Sequence, residues 1–228
     1  MFILCYHKVG PAAEEGRRLN IEPERLASHV AYFKKRDYVF RRADSLCEPW
    51  GARDVCLTFD DAYTSTLTFG VEVLARAGVT GSIYAVSDCV GGSSAWDLGN
   101  ERPLADWNLL LEAQKLGIEI GNHSHNHPFF EKLNKEEQVQ QIRDCHQALT
   151  EHGITSTSFC LPYGSYNSES EAAIAEAGYS VGLALRKRHP RESDSRLILP
   201  RIVLAYSDGI AGLIYKLKIK PMLKKARD

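Results

Sequence analysis

The stretch Asp54–Leu67, "DVCLTFDDAYTSTL", runs an apolar segment straight into two adjacent carboxylates, Asp60 and Asp61. Val55, Cys56, Leu57 and Phe59 read as a buried strand. Two ionised carboxylates side by side repel each other, and burial raises the cost. The downstream "DAYTSTLTFGVEVLARAG" has a helical pattern, and Asp is a good N-cap. Capping accounts for one carboxylate at most, whereas a bound cation accounts for both. The unit is therefore strand, acidic turn, helix.

The same unit recurs along the chain. "FILCYH", "GSIYAVS", "IEIGNH", "TSFCLPYG" and "YSVGLAL" read as short strands, and "RLILPRIVLA" as a last strand or pair of strands. Between them lie helical patterns. "EPERLASHVAYFKKRD" has Pro23 in its first turn, and a short strand, "YVF", follows it. "LADWNLLLEAQKLG", "NKEEQVQQIRDCHQALTEHG" with Asn134 as cap, and "SESEAAIAEAG" are the others. "DCVGGSSAWDLGNERP" is Gly-rich and polar and reads as a long loop. Alternation at this spacing implies parallel strands with right-handed crossovers. About seven units suit a closed or nearly closed α/β barrel; a doubly wound open sheet is the alternative. In either, chemistry belongs at the carboxyl ends of the strands.

With 228 residues, 44% of them hydrophobic, the chain is sized for one core. A formal charge of -1 gives no basic field for nucleic acid. The six cysteines form no CxxC pair or regular framework, which suits reduced thiols, and "MFILCYHKVG" lacks a basic region before its short apolar run. These features point to a cytoplasmic protein.

Strand ends supply His7, Asp60, Asp61, His123 and Tyr163. "GNHSHNHP" sets His123, His125 and His127 in one turn, and the interval of four between the outer two is common for metal ligands. Two His and one Asp leave coordination positions open, as a catalytic metal requires. Zn2+ is the default, and Co2+, Ni2+ or Fe2+ fit the same donors. One Asp then ligates the ion and the other is free to act as a general base; spacing alone does not say which.

In three motifs the chain resembles the polysaccharide deacetylases with a NodB-homology domain, carbohydrate esterase family 4. "TFDDAY" is similar to T-F-D-D-G, "HSHNH" before Pro128 to H-[ST]-x-x-H, and "LPYGSYN" to R-x-P-[YF]-G, in the same order. The resemblance implies a distorted (β/α)7 barrel over residues 1–207 and metal-dependent removal of N-acetyl groups from amino sugars. Carried over, Asp60 is the base, Asp61, His123 and His127 hold the metal, and the Tyr163 backbone N–H helps hold the oxyanion. Ala62 stands where the family has Gly. Cys160 stands where it has the Arg that braces the base, so another cation must orient Asp60. Arg201 in "LPRIVL" is the candidate. No late His motif is present, so His7 is the expected general acid, with His189 a weaker choice in the charged "RKRHP" loop.

Trp96 and Tyr63, with Tyr163, are candidates to stack on sugar rings, whereas Trp107 reads as core packing. Residues 208–228 form a basic amphipathic helix or tail, apolar at Ile210, Leu213, Ile214 and Leu217. That segment allows peripheral contact with an anionic inner membrane face, and with it a glycolipid or lipid-linked sugar as substrate besides a free saccharide. The alternatives are a hydrolase of another linear or cyclic amide, such as a deformylase, and an inactive sugar-binding module.

Overall fold

Period-two alternation sorts each strand's side chains between two sides of one sheet. In the computed structural model, which describes residues 1–225, Phe2–Tyr6 pairs in parallel with Asp54–Phe59. The ladder continues through Ser82–Ala85, Glu119–Asn122, Ser158–Cys160 and Val181–Ala184, parallel throughout. The segment 199–203 closes the ring. Leu199–Pro200 pairs with Val181–Ala184, and Ile202–Val203 pairs with Phe2–Tyr6, both in parallel. The result is the expected distorted (β/α)7 barrel. Val39–Arg41 adds a short parallel rung at the start of Asp54–Phe59.

Ile3, Cys56, Tyr84, Cys160, Val181, Leu183 and Leu199 cluster inside the ring. Their alternates, such as Leu4, Tyr6, Val55, Leu57, Phe59 and Ile83, face the helices in a larger cluster with Leu26, Phe33, Leu74 and Leu110. Continuing the inward register carries Cys56 and Thr58 to Asp60, and Leu199 to Arg201. The other mouth ends on Glu119, which accepts from Ser82 Oγ (2.6 Å), Ser158 Oγ (2.5 Å) and the Asp44 amide (3.0 Å).

Helices form where the patterns fall: Pro23–Lys34, Val71–Ala77, Trp107–Lys115, Lys135–Glu151 and Ser170–Glu176. Asn134 caps Lys135–Glu151 in a reciprocal pair with Glu137. Trp107 stacks on His152 at 3.8 Å and packs against the outer core.

Three expectations need correction. Neither Asp60 nor Asp61 caps the next helix, because Asp61 and Ala62 occupy the left-handed region (φ 70° and 52°) and the first helical bonds run from the Thr66 and Leu67 amides to Tyr63 O. His189 is not on a solvated loop. Its Nε2 lies 2.8 Å from Leu217 O and its ring meets Phe2 edge-on, far down the barrel wall. Finally, the apolar stripe assigned to a membrane is the inner face of the terminal helix. Leu213 and Leu217 are buried and Ile210 and Ile214 pack beside them on the core. Arg227 of the basic tail lies outside the described residues. No helix among the described residues is long and apolar enough to cross a membrane.

Candidate active site

The acidic turn leaves Asp60 and Asp61 on different partners. Asp60 continues the inward face of its strand, with its amide bonded to Tyr6 O (2.9 Å). The left-handed Asp61 then turns its carboxylate toward the "HSHNH" turn. In that turn the Ser124 amide donates to Asn122 Oδ1 and the His127 amide to Ser124 Oγ, with Ser124 and His127 both left-handed. This fold of the backbone brings His123 and His127 to one side. Their Nε2 atoms lie 3.4 and 3.2 Å from Asp61 Oδ1. All three residues are buried. His125 is turned away, with Nδ1 3.0 Å from Ser87 Oγ.

Asp61 Oδ1 has no hydrogen-bond partner, although it is buried. The three ligand-type atoms lie within 4.8 Å of one another. A buried, orphaned carboxylate oxygen facing two imidazole nitrogens is a donor set that a divalent cation satisfies. His123 Nδ1 sits 2.7 Å from Cys160 O, which fixes a proton on Nδ1 and leaves Nε2 as the free lone pair. Burial alone would lift the Asp61 carboxyl, but with no cation between them protonated His123 and His127 rings hold it well below the ordinary range. Burial pushes His127 down; for His123, Asp61 and Asp60 outweigh burial and leave it above its usual value.

Asp60 sits in a second, separate arrangement. Arg201 NH1 and NH2 donate to its two oxygens at 2.6 and 2.7 Å, and NH1 also donates to Thr58 Oγ1. Arg201 is fully buried. It projects from the point where the closing segment passes from one neighbour to the other, its amide bonded to Ala184 O. Burial would raise Asp60, but the fork of the guanidinium overcomes it and holds the carboxyl well below its usual range. Cys160 occupies the space beside this pair. Its Sγ accepts from Arg201 NH2 at 2.9 Å and lies 3.5 Å from Asp60 Oδ1, while Cys5 Sγ lies 3.4 Å from Asp60 Oδ2. Burial keeps both thiols protonated, so they donate weakly and add no charge.

Above both pairs opens a cleft of about 100 Å3. His7 lines it, partly exposed, with Nδ1 3.9 Å from Cys5 Sγ. Trp96 lies over the metal-type ligands, its ring stacked on His127 at 4.1 Å. Tyr163 meets His127 edge-on at 4.5 Å and stacks on Phe129 at 3.9 Å. Its left-handed backbone (φ 58°) precedes Gly164, where a Cβ would stand 2.5 Å from Leu185 N. Only Gly fits there. Tyr63 also lines the cleft, with little of its ring exposed, and it pairs with Leu104 across the Trp96 loop. A larger groove of about 520 Å3 on the barrel flank, between Pro11–Ala13 and Phe69–Val73, receives none of these residues.

Sequence reasoning missed Asp97 and Arg18, which also line the cleft. Asp97 is buried, with Oδ1 2.8 Å from Arg18 NH1 and Oδ2 unpartnered. A lone acid in a Gly/Ser loop carries no spacing signal; its position next to Trp96 was the one available hint.

The chain is 23% identical to YxkH of Bacillus subtilis strain 168, a protein named for polysaccharide deacetylases, over 96% of this chain and 76% of that one. Its fold is similar to that of the deacetylase PplD from Streptococcus pyogenes (TM-score 0.80, 18% identity, 96% of this chain and 98% of the other). It is likewise similar to a de-N-acetylase from Aggregatibacter actinomycetemcomitans (TM-score 0.77, 19% identity, 95% and 99%). The family model described as "Polysaccharide deacetylase" matches residues 48–182, from just before the acidic turn to the strand after the Tyr163 motif, and on that match the chain belongs to the polysaccharide deacetylase family.

Proposed function

We propose that the protein is a metal-dependent hydrolase that removes N-acetyl groups from an amino sugar, carried on a saccharide or a lipid-linked intermediate of polysaccharide or glycolipid assembly. The observation that carries this reading is the pairing of two buried carboxylates with opposite tasks. Asp61, with its orphaned oxygen, faces His123 and His127, while Asp60 is kept ionised by Arg201. Asp61, His123 and His127 would hold a divalent cation, Zn2+ in preference to Co2+, Ni2+ or Fe2+. Such a cation supplies Lewis acidity toward the amide carbonyl and toward water.

The chain's own groups do the rest. Asp60 takes the proton from the attacking water, and its carboxylate is available because Arg201 holds it ionised and oriented. The Tyr163 backbone N–H donates to the oxygen that gains negative charge at the tetrahedral centre. His7, at the cleft wall, returns a proton to the departing amine. Trp96 caps the cleft from above and offers a ring face to a sugar. The products are acetate and a free amino sugar.

The test is acetate release from N-acetylglucosamine oligomers by protein loaded with Zn2+, with Asp60→Asn as control. Turnover by the wild type, abolished in Asp60→Asn, is expected. Saccharide binding without turnover in both proteins would instead favour the sugar-binding module, and release of a different acyl group would favour the broader amide hydrolase.

A further inference from the structure

The terminal helix, Ile210 to Lys225 with a wider turn over Tyr215–Ile219, is apolar on two opposite sides. One side is used: Leu213 and Leu217 are buried in the main core. The other is open. Tyr215 is 46% exposed, Ile219 45%, Met222 70% and Leu223 54%. Their spacing of four, three and one sets them on a single arc facing away from the barrel. A helix apolar on both sides is normally covered on both sides.

The margins of the open arc say what covers it. From Gly209 to Arg227 the sequence holds six basic residues and no acid, in a chain whose formal charge is -1. Lys218 and Lys220 are exposed beside the arc. Lys216 is anchored to Asp208 Oδ2 (2.7 Å) and Val203 O, and with Lys187 and Lys220 it lines a pocket of about 180 Å3 on the barrel wall. Lysine is depleted at protein interfaces. An apolar stripe with lysine flanks and no acid is instead the pattern of a helix lying in a lipid headgroup layer.

We propose that the outer face of this helix docks on an anionic lipid bilayer. Tyr215, Ile219, Met222 and Leu223 enter the headgroup boundary, and Lys218, Lys220 and Lys187, whose charges are not taken up among the described residues as that of Lys216 is by Asp208, meet lipid phosphates. This surface is distinct from the inner stripe of the same helix, and the proposal does not depend on the substrate.

The experiment is sedimentation of the full chain with phosphatidylcholine vesicles, with and without 30 mol% phosphatidylglycerol, on the order of the anionic content that gives a strong surface potential. Binding to the anionic vesicles alone, weakened at least tenfold in ~0.5 M salt, is expected. Ile219→Ser/Met222→Ser/Leu223→Ser keeps the charge, and Lys218→Gln/Lys220→Gln keeps the stripe; each should weaken binding, the lysine pair by about fivefold per charge. All substituted side chains are exposed, and an unchanged circular dichroism spectrum verifies folding. No binding to anionic vesicles overturns the proposal. So does binding that the Ser variant leaves intact. A dimer in ultracentrifugation that the Ser variant dissociates, with no vesicle binding, would assign the face to a second copy and overturn it as well.

Discussion

The two halves of the cleft floor are built by different means. Asp61, His123 and His127 come from two turns, each shaped by its own left-handed residues. Asp60 and Arg201 meet across 141 residues of sequence, because the closing strand brings one to the other. The first half needs only the neighbouring strands Asp54–Phe59, Ser82–Ala85 and Glu119–Asn122, each turn holding its own shape; the second exists only once the barrel has closed. Damage to the first should therefore abolish chemistry while sparing the fold, and damage to the second should cost both.

The largest effect is expected in the local half. His123→Ala/His127→Ala should lose the bound cation, from about one per chain to none by mass spectrometry of the purified protein, and lose all measurable turnover. Circular dichroism should be unchanged. Wild-type protein that takes up no metal even with added Zn2+ would remove the hydrolase reading.

Arg201→Met comes next and should separate the halves. It leaves the Asp60 carboxylate buried without its partner, a change that costs ~3–5 kcal/mol. Activity should fall at least a hundredfold while the metal content stays near one. The pH dependence has a sign. With Arg201, the folded pKa of Asp60 is depressed, so its stabilisation is present above the ordinary carboxylate range and is lost only as pH falls through the folded value. In Arg201→Met burial, the largest influence on Asp60, is opposed only by the charges of His123 and His7 and raises that pKa, so the variant loses stability as pH rises above the unfolded value. The gap between the two denaturation midpoints, both measured without metal, should widen from pH 4 to pH 7. A constant gap would mean that Arg201 contributes packing and not charge.

The contrast between the halves also sets what could be read beforehand. The alternation of strands and helices was legible because each apolar run is short and each helix pattern is bounded; it suited a barrel but left an open sheet as the alternative, and the resemblance in three motifs pointed to the barrel. The His turn was legible because three imidazoles in five positions have few other uses. That Asp60 needs a cation followed from Cys160 standing where an arginine belongs, but which strand would bring it depends on closure of the ring. Asp97 was hidden in an irregular loop. The terminal helix misled in a different way: one of its apolar sides was seen, and the barrel covers that one.

Asp97 gives a smaller, sharper test. Its Oδ2 lacks a partner at the cleft wall, and Arg18 balances its charge. That oxygen is buried in the cleft wall, and a sugar hydroxyl reaches it if the Trp96 loop shifts to admit the ring. Asp97→Ala should therefore raise KM for an N-acetylated saccharide by about tenfold, the scale of one hydrogen bond to a charged group, with kcat little changed. An equal fall in kcat would instead mean that Asp97 shapes the metal half through Trp96.

The smallest effect probes the strain of the local half directly. Ala62 follows Asp61 in the left-handed region at φ 52°, where a Cβ costs about 1–2 kcal/mol. Gly removes that cost but adds unfolded-chain entropy, about 0.4–1 kcal/mol. Ala62→Gly should therefore raise stability by roughly 0.5–1 kcal/mol, read as a shift in the denaturant midpoint at constant slope. The direction matters more than the size. A gain with unchanged kcat would mean that the turn is held by its surroundings, by the Ala105 amide donating to Ala62 O and by Tyr63 pairing with Leu104. A gain with reduced kcat would mean that the Cβ itself stiffens Asp61 for the proposed ligand role, and that the Trp96 loop alone does not hold the turn.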